Sequence, residues 1–501
     1  MREITSRKQQ MAATARPSLL EVENWLLLAV LALLALGVGI AVARDNLLIA
    51  LLPLAILAVF LVFRLNYNSF ILVLCLYAGL ASNTYSIIYI HGKTLTLSAG
   101  DLGMIAVTGL MLFWIVAETA IRREAVFSLP TEARPFLLPL GLLAVLFLCS
   151  SLWAGIGPLA SQNNLSQSLL AYSHWLIGPV MLLFLANASV KPARFPDIVA
   201  LLAAVFSGGY LVAVLTGQKQ VETVITGGLN PFMRISGVFS DPNEMGQIAV
   251  LLLVVLAAFT LTAPRKSRRN IVWLLVAALA AMVFLTQSRE AIIALLVSAS
   301  TLGFVLARRN RKLAAALLVV LLGLSIVLLL RIPRVASTLT DIRSGAAITA
   351  LNGRDEVWRG SWGVISSHPV TGIGFENLLV LTNGTIQDAH NGFMQSMVVS
   401  GVLGLLAYIW LVWNTGRYLF RYSRETDGTV RAIFVAMFCA FVGYIVTALV
   451  SDHFITFYVY SALFWGTTGL ALAALRSARL EGTELEGPKD GSVASNKIED
   501  G

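Results

Sequence analysis

The sequence predicts an all-α, polytopic membrane protein. Of its 501 residues, 57% are hydrophobic and only 13% are charged, and the mean hydropathy is +0.80. Soluble domains carry charged side chains at about 25% of their positions. Apolar runs of roughly 20 residues recur along the chain, which is the length that a helix needs to cross a bilayer. Helices are expected because lipid offers no hydrogen-bonding partner to backbone polar groups.

The apolar runs predict about fourteen transmembrane helices, at 24–43, 46–63, 68–82, 101–120, 135–153, 168–188, 196–216, 243–263, 271–286, 289–307, 313–331, 391–414, 431–450 and 455–475. The first run is too long for a signal-peptide core and lacks a clear cleavage site, so we expect it to be an uncleaved span. The predicted organisation has four parts. They are a cytoplasmic N-terminal segment (1–23), N-terminal helices (24–216), a core (217–475) with a medium-sized outer loop (332–390), and a disordered cytoplasmic tail (476–501).

The basic residues predict the topology. With the N-terminus placed inside and the helices alternating, 26 of the 36 Lys and Arg residues fall on the inner side, in clusters such as RKSRR (265–269) and RRNRK (308–312). This asymmetry follows the positive-inside rule, so both termini are expected in the cytoplasm. The formal net charge of +9 is accounted for in this way, and no nucleic-acid partner is predicted.

Basic residues on the outer side cluster in the second half of the chain. They are Lys219, Arg234, Arg289, Arg331, Arg334, Arg343, Arg354 and Arg359. An anionic ligand on that side explains the cluster. Long outer loops also escape the positive-inside rule, which explains Arg334 and Arg343 equally well but explains Arg289, in a very short turn, poorly.

Four polar segments on the outer side are candidate functional sites. RISGVFSDPNEMG (234–246) places Arg234 before a helix start, where an anion can bind, although Ser-Asp-Pro-Asn is also an ordinary helix start. LTQSREA (285–291) places Arg289 in a tight turn, where its partner is either Glu290 or a ligand phosphate.

The other two segments lie in or beside the outer loop. GRDEVWRG (353–360) contains Arg354 and Arg359 around Trp358, which suits phosphate and sugar binding. A solvated surface helix, in which Asp355 and Glu356 pair with the arginines, would show the same sequence pattern. DAHN (388–391) places His390 at a membrane mouth, where a pKa near 6.5 suits a general base; the alternative is an interfacial histidine in a helix N-cap region.

Motifs for metals and nucleotides are missing from the sequence. There is no HExxH, CxxC, P-loop or GxGxxG, and the three cysteines (Cys75, Cys149 and Cys439) are scattered through apolar runs. Neither a metal nor a cofactor is therefore predicted.

The order of these motifs resembles that of a known family. RxxGxFxDPN, TQSR, GRxxxW, HPxxGxGxxN (within 368–377) and AHN, followed by a last group of helices, are similar to the O-antigen ligase and polymerase superfamily of bacterial surface-polysaccharide assembly. The resemblance covers roughly residues 200–470. It implies a metal-independent, inverting glycosyltransferase with a GT-C-like fold in the cytoplasmic membrane.

The resemblance also implies roles for individual residues. The donor would be an oligosaccharide on undecaprenyl diphosphate, and the acceptor would be lipid A–core or a second lipid-linked glycan. His390 would act as base, while Arg289 and Arg354 would grip the diphosphate. The implied substrate-binding residues are Arg234, Arg359, Trp358, Asn391, Asn243 and Glu376. The outer loop would close like a lid over this diphosphate site.

Two other classes of function remain open from sequence. The chain could be a transporter of the kind labelled as bicarbonate transporters, which mid-membrane acidic residues or an inverted repeat would favour. It could instead be a non-catalytic scaffold of a polysaccharide export complex, in which loss of His390 and the arginines would have no consequence.

Overall fold

The structure is a computed structural model. It describes residues 85–90, 93–98, 130–156, 165–215, 220–223, 232–235, 242–263, 269–307, 354–375, 377–378, 388–456 and 458–485, and a few isolated positions between 311 and 323. The predicted spans at 24–43, 46–63, 68–82 and 101–120 lie outside the described residues, as does nearly all of the span at 313–331.

Helices dominate the described residues. They are α1 (Arg134–Ile156), α2 (Leu165–Ala186), α3 (Phe195–Leu215), α4 (Pro242–Thr262), α5 (Arg269–Thr286), α6 (Arg289–Ala307), α7 (Arg354–Ser367), α8 (Gly392–Glu425), α9 (Gly428–Ala448), α10 (His453–Thr456) and α11 (Tyr458–Leu485). A 3-10 turn (Pro192–Arg194) precedes α3.

Two antiparallel hairpins interrupt the helical pattern. β1 (Tyr85–Ile90) pairs with β2 (Lys93–Ser98), and β3 (Gln220–Thr223) pairs with β4 (Phe232–Ile235). The rest of the described secondary structure is helical, as the all-α prediction requires, and the two short hairpins are additions to it. Both hairpins fall between predicted spans, where local pairing of short segments can satisfy the backbone that no helix covers.

Among the described residues, 7 helices are long and apolar enough to cross a membrane. α5 and α11 also fall on predicted spans, at 271–286 and 455–475. The helix α11 continues to Leu485, within the segment 476–501 that the sequence assigns to the tail. The Arg479 side chain, which donates to Glu132 Oε1 over 2.6 Å, lies on this extension.

Among the described residues, a large apolar core unites the helices other than α7, and a smaller cluster packs Ile365 of α7 with Ile373, Leu378, Ala389 and Val398. The closest packing joins α2 to α11, α4 to α5, α6 to α9, α8 to α1 and α9 to α8 and α4. Glycine permits two of these close approaches. A Cβ at Gly178 of α2 would lie 2.5 Å from Ser461 Oγ of α11, and one at Gly443 of α9 would overlap Ser298 of α6.

The helix α8 is broken at Ser400 and Gly401, where the backbone leaves the helical region. Gly401 has φ +67°, and a Cβ there would overlap the carbonyl of Val370. The segment after α7 docks into this break: Ile373 N–H donates to Val398 O over 2.9 Å, and Val402 N–H donates to Pro369 O over 2.8 Å. The HPVTGIGFEN motif therefore joins α7 to the broken helix.

Candidate functional site

A cluster of buried and half-buried polar side chains lies at one end of the bundle. This end, called the site end below, is where α4, α6 and α8 begin and where α9 ends. The polar cluster consists of Gln247, Glu290, Arg354, His390, Ser451 and Asp452, which come from five separate stretches of the chain.

An ion pair between Arg354 and Glu290 forms one half of the polar cluster. Arg354 is the first residue of α7, and its Nη2 donates to Oε1 of Glu290 in the first turn of α6. The Glu290 side chain is only 6% exposed, whereas that of Arg354 is 22% exposed. Burial of a carboxylate requires a counter-ion, and Arg354 supplies it while keeping part of its guanidinium accessible.

Gln247 connects the two halves of the cluster. It lies in the second turn of α4, and its Nε2 donates to Glu290 Oε2 over 3.2 Å. The same nitrogen lies 3.4 Å from Ser451 Oγ. An amide that bridges buried polar groups satisfies them without adding charge, so Gln247 fixes α4, α6 and the 451–452 segment relative to one another.

His390 and Asp452 form the other half. His390 Nδ1 lies 3.9 Å from Asp452 Oδ1, and the Asp452 side chain is 3% exposed while that of His390 is 49% exposed. Burial, together with the nearby carboxylate of Glu290, raises the pKa of Asp452 to about 7. The backbone N–H of His390 and the charge of Arg354 act in the opposite direction, by stabilising the ionised form.

The turn that carries His390 is held on both sides. His390 has φ +47°, a left-handed conformation that a non-glycine residue adopts only when its surroundings enforce it. Before it, Ala389 N–H donates to Gln395 Oε1 over 3.0 Å. After it, Asn391 caps α8 by accepting from Phe393 and Met394 N–H.

Asn391 has a second contact across the bundle. Its Nδ2 donates to Leu449 O over 2.8 Å, which ties the start of α8 to the end of α9. Asn391 was expected to bind substrate; in the structure its amide holds the His390 turn beside Asp452.

The α5–α6 turn places Arg289 at the site end. Gln287 has φ +49°, and Ser288 Oγ donates to Asn243 Oδ1 in the first turn of α4 over 2.8 Å. A Cβ at Gly246 would lie 2.7 Å from Ala291 Cβ, so glycine lets α4 approach this turn closely. Arg289, half-buried, opens α6 next to Glu290.

Several residues expected in the site lie elsewhere or lie outside the described part. Arg359 projects from α7 with 75% of its side chain exposed and pairs with Asp355 over 2.7 Å, as in a solvated helix. Trp358 is half-buried, and its buried indole N–H has no hydrogen-bond acceptor among the described residues. Arg234 lies in β4, with its side chain outside the described part, and Glu376 is not described.

Asp452 and Gln247 are the residues that sequence reasoning missed. Asp452 follows the predicted span at 431–450 and precedes the one at 455–475. An acidic residue between two apolar runs was a usable signal, since such residues are costly near a membrane unless they have a partner. Gln247 lies inside an apolar run and offered no comparable signal.

The arrangement suits anion binding beside a base. Arg354 can donate a planar pair of N–H groups to phosphate oxygens, and Arg289 lies one residue from the carboxylate that Arg354 contacts. Asp452 Oδ1 lies within ion-pair distance of His390 Nδ1, so the ionised carboxylate can interact with the imidazole ring. Among the described residues, no group of three or more His, Cys, Asp or Glu is placed to hold a metal ion.

The fold and the site define an integral membrane protein with a polar, partly buried site at the ends of its helices. Residues 273–409 match the family model described as O-antigen ligase. This match confirms the resemblance to the O-antigen ligase and polymerase superfamily and includes Glu290, Arg354 and His390, whereas Gln247 and Asp452 lie on either side of it. No curated protein matches the chain.

Proposed function

We propose that this protein transfers or polymerises glycan from an undecaprenyl-diphosphate-linked donor at the outer face of the bacterial cytoplasmic membrane. The observation that carries the proposal is the placement of Arg354 and His390 in one polar cluster, although 36 residues of sequence separate them. The family match to residues 273–409 supports a membrane glycan ligase or polymerase in general.

The arginines would bind the donor and its leaving group. In the reaction, the bond between the anomeric carbon and the diphosphate oxygen breaks, and negative charge develops on that oxygen. Arg354, with help from Arg289, would stabilise this charge in a poorly hydrated setting where fixed cations act strongly. The buried carboxylate of Glu290 keeps Arg354 oriented before the donor arrives.

His390 would act on the acceptor. With Nδ1 turned towards Asp452, the opposite ring nitrogen, Nε2, is the one to take the proton from the acceptor hydroxyl. That oxygen forms a bond to the anomeric carbon from the side opposite the diphosphate, so the configuration inverts. Undecaprenyl diphosphate leaves, and the proton stays on an imidazolium that ionised Asp452 stabilises.

We propose that the transfer needs no metal, as the resemblance to the O-antigen ligase and polymerase superfamily implies. The acceptor would be lipid A–core in a ligase or a second lipid-linked glycan in a polymerase. Trp358, Asn243 and the loop residues around Glu376 are candidates for contacts with the sugars. Both termini would lie in the cytoplasm, as the distribution of basic residues predicts.

A reconstituted assay tests this function. The purified full-length protein in nanodiscs is incubated with undecaprenyl-diphosphate oligosaccharide and, in separate arms, with lipid A–core or with no second acceptor. A ladder of lipid-linked products identifies a polymerase, and a single addition to lipid A–core identifies a ligase. His390→Ala is expected to lower the rate by about 10²–10⁴-fold, the usual contribution of a general base.

The matched control is His368→Ala. His368 is half-buried in the turn after α7, where its Nδ1 lies 2.9 Å from Ser367 Oγ, and the variant should retain activity. If the wild type forms no glycosidic product with either acceptor, the proposed function is wrong. If the wild type is active and His390→Ala is equally active, the function stands but the base has been misassigned.

A further inference from the structure

The turn after α7, residues 369–371, lies on an apolar surface that belongs to the broken helix α8. Val370 is 61% exposed, and its carbonyl lies against Gly401 at the break. Beyond the break, Leu403 and Leu406 on α8 are 49% and 57% exposed. The exposed side chain of Val370 therefore continues the outward-facing apolar surface of a candidate membrane span.

An irregular turn can lie against lipid only if its backbone groups are satisfied within the protein. Here α8 and α1 supply the partners. Val402 N–H donates to Pro369 O, and Ser150 Oγ donates to Thr371 O over 2.6 Å. Gly372 N–H donates to His368 O over 3.1 Å, closing the turn internally.

The position of the turn 369–371 along the axis of α9 follows from the lengths of α8 and α9. The two helices meet at residues 426–427 and again where Asn391 donates to Leu449 O. α9 has 21 residues and α8 has 34, so their lengths are about 31 Å and 51 Å. The excess of about 20 Å shows that part of α8 does not run alongside α9.

The part that deviates is the segment before the break. A Cβ at Gly404 would lie 2.8 Å from Ser396 O, although eight residues of straight helix span about 12 Å. Residues 392–400 therefore run across the site end, and Gly401 with Val370 lies level with the end of α9. Because α9, about 31 Å long, matches the thickness of about 30 Å of the hydrocarbon core, this level is where a bilayer should change from apolar to polar.

The composition of α7 suits the same level. Trp362 is 57% exposed on its surface, and tryptophan favours the membrane–water interface because its ring is apolar and its N–H is polar. Arg359, whose side chain is 75% exposed, occupies another, solvated face. α7 thus presents both an aromatic and a charged surface.

We propose that Trp362 and the turn 369–371 rest on the lipid of the outer leaflet, at the boundary between head groups and acyl chains. α7 then lies on the membrane surface, anchored at its C-terminal end. Arg354, at the other end of the 14-residue helix and about 20 Å away, is held at the height of lipid phosphates. The choice of leaflet rests on the proposed topology, whereas the contact with lipid does not depend on the reaction that the site performs.

Depth-dependent fluorescence quenching tests the contact. Cys75, Cys149 and Cys439 are replaced in the full-length protein, and single cysteines are introduced as Val370→Cys, Leu406→Cys as the lipid-facing reference, and Arg359→Cys as the aqueous reference. Each is labelled with NBD in nanodiscs that contain 5-doxyl phosphatidylcholine or are exposed to aqueous iodide. Trp362→Cys provides a second position if Val370→Cys does not fold.

The label at 370, or at 362, is expected to emit at shorter wavelength than the label at 359. It should be quenched by the doxyl lipid, as at 406, and its Stern–Volmer constant for iodide should be several-fold lower than at 359. Quenching like that at 359 would overturn the proposal. Protection from both quenchers would also overturn it, because a protein surface would then cover the turn.

Discussion

The helix α7 carries two arginine–carboxylate pairs that differ in the exposure of the arginine and in the sequence separation of the partners. Arg354 reaches a carboxylate 64 residues away in sequence, in the buried first turn of α6. Arg359 pairs with Asp355 on its own helix and is 75% exposed. Five residues of helix rotate a side chain by about 140°, so one arginine enters the bundle and the other faces solvent.

The comparison shows why two arginines of one motif should not be assigned the same role. An exposed i,i+4 pair contributes little, since water and salt screen it. In a buried pair, the carboxylate fixes the position of the guanidinium. A ligand phosphate that binds there contacts a guanidinium that is already oriented. The burial of the arginine itself, whose side chain is 22% exposed at position 354 and 75% exposed at position 359, separates the polar cluster from the solvated face of α7.

Among the variants that test this difference between a buried and an exposed pair, the largest effect is expected from Arg354→Ala. It should lower the transfer rate by about 10²–10³-fold, because the variant loses a donor to the developing charge. Arg354→Lys should recover part of the rate, since lysine keeps the charge without the planar fork. Initial rates with the lipid-linked donor measure both, with Arg421→Ala as control because the Arg421–Glu425 pair is exposed on α8. Equal losses in Arg354→Ala and Arg421→Ala would remove the distinction between buried and exposed pairs.

Asp452→Asn should have the next largest effect. Because the pKa of Asp452 is about 7, the carboxyl group is mostly protonated at pH 6 and mostly ionised at pH 8. The ionised form supports the protonated His390, so wild-type activity should rise across this interval. The variant should lose about tenfold in rate at pH 8, equivalent to about 1.4 kcal/mol, and its pH profile should be flatter.

The same titration affects stability with a defined sign. Folding raises the pKa of Asp452 above its ordinary value of 3.8, so between these values the folded state binds more protons than the unfolded state. Stability of the wild type should fall as pH rises towards and through 7, and Asp452→Asn should lessen that fall. Unfolding temperatures at pH 5 and pH 8 measure this fall in stability. If the variant shows the same pH dependence as the wild type, the raised pKa of Asp452 is contradicted.

Glu290→Gln should separate stability from catalysis. It removes the charge that Arg354 contacts, and loss of one partner from a fully buried pair costs about 3–5 kcal/mol of stability; the cost here should be smaller because the Arg354 side chain is 22% exposed. Arg354 remains available for the donor, so the rate should stay within about tenfold of wild type. Thermal unfolding and initial rates together distinguish this from Arg354→Ala; complete loss of activity in a folded Glu290→Gln protein would show that Glu290 takes a direct part.

The smallest effect is expected from Arg359→Ala. Although the GRDEVWRG motif made Arg359 a candidate substrate-binding residue, its exposed pair with Asp355 predicts a rate within about twofold of wild type and an unchanged unfolding temperature. A large rise in the KM for the lipid-linked donor would show that the ligand reaches the outer face of α7, and the comparison would then need to include the whole helix.

Sequence reasoning found part of the site. Arg354 and His390 were identified because each lies in a polar segment beside an apolar run, and the structure brings both to the polar cluster. The sequence indicates Glu290 only as a partner for its neighbour Arg289. Asp452 was not identified, and its contact with His390 joins positions 62 residues apart in the sequence.

The sequence by itself determined that this is a membrane protein and where most of its described helices run, because the length and apolarity of a span are local properties. It did not determine the two hairpins, the break at Gly401 or the pairing of Arg354 with Glu290. These depend on which chain segments meet: the break persists because residues 369–374 supply the hydrogen bonds that the helix lacks. Burial of Glu290 and Asp452 likewise exists only in the packed bundle, and it is this burial that gives their partners a defined position.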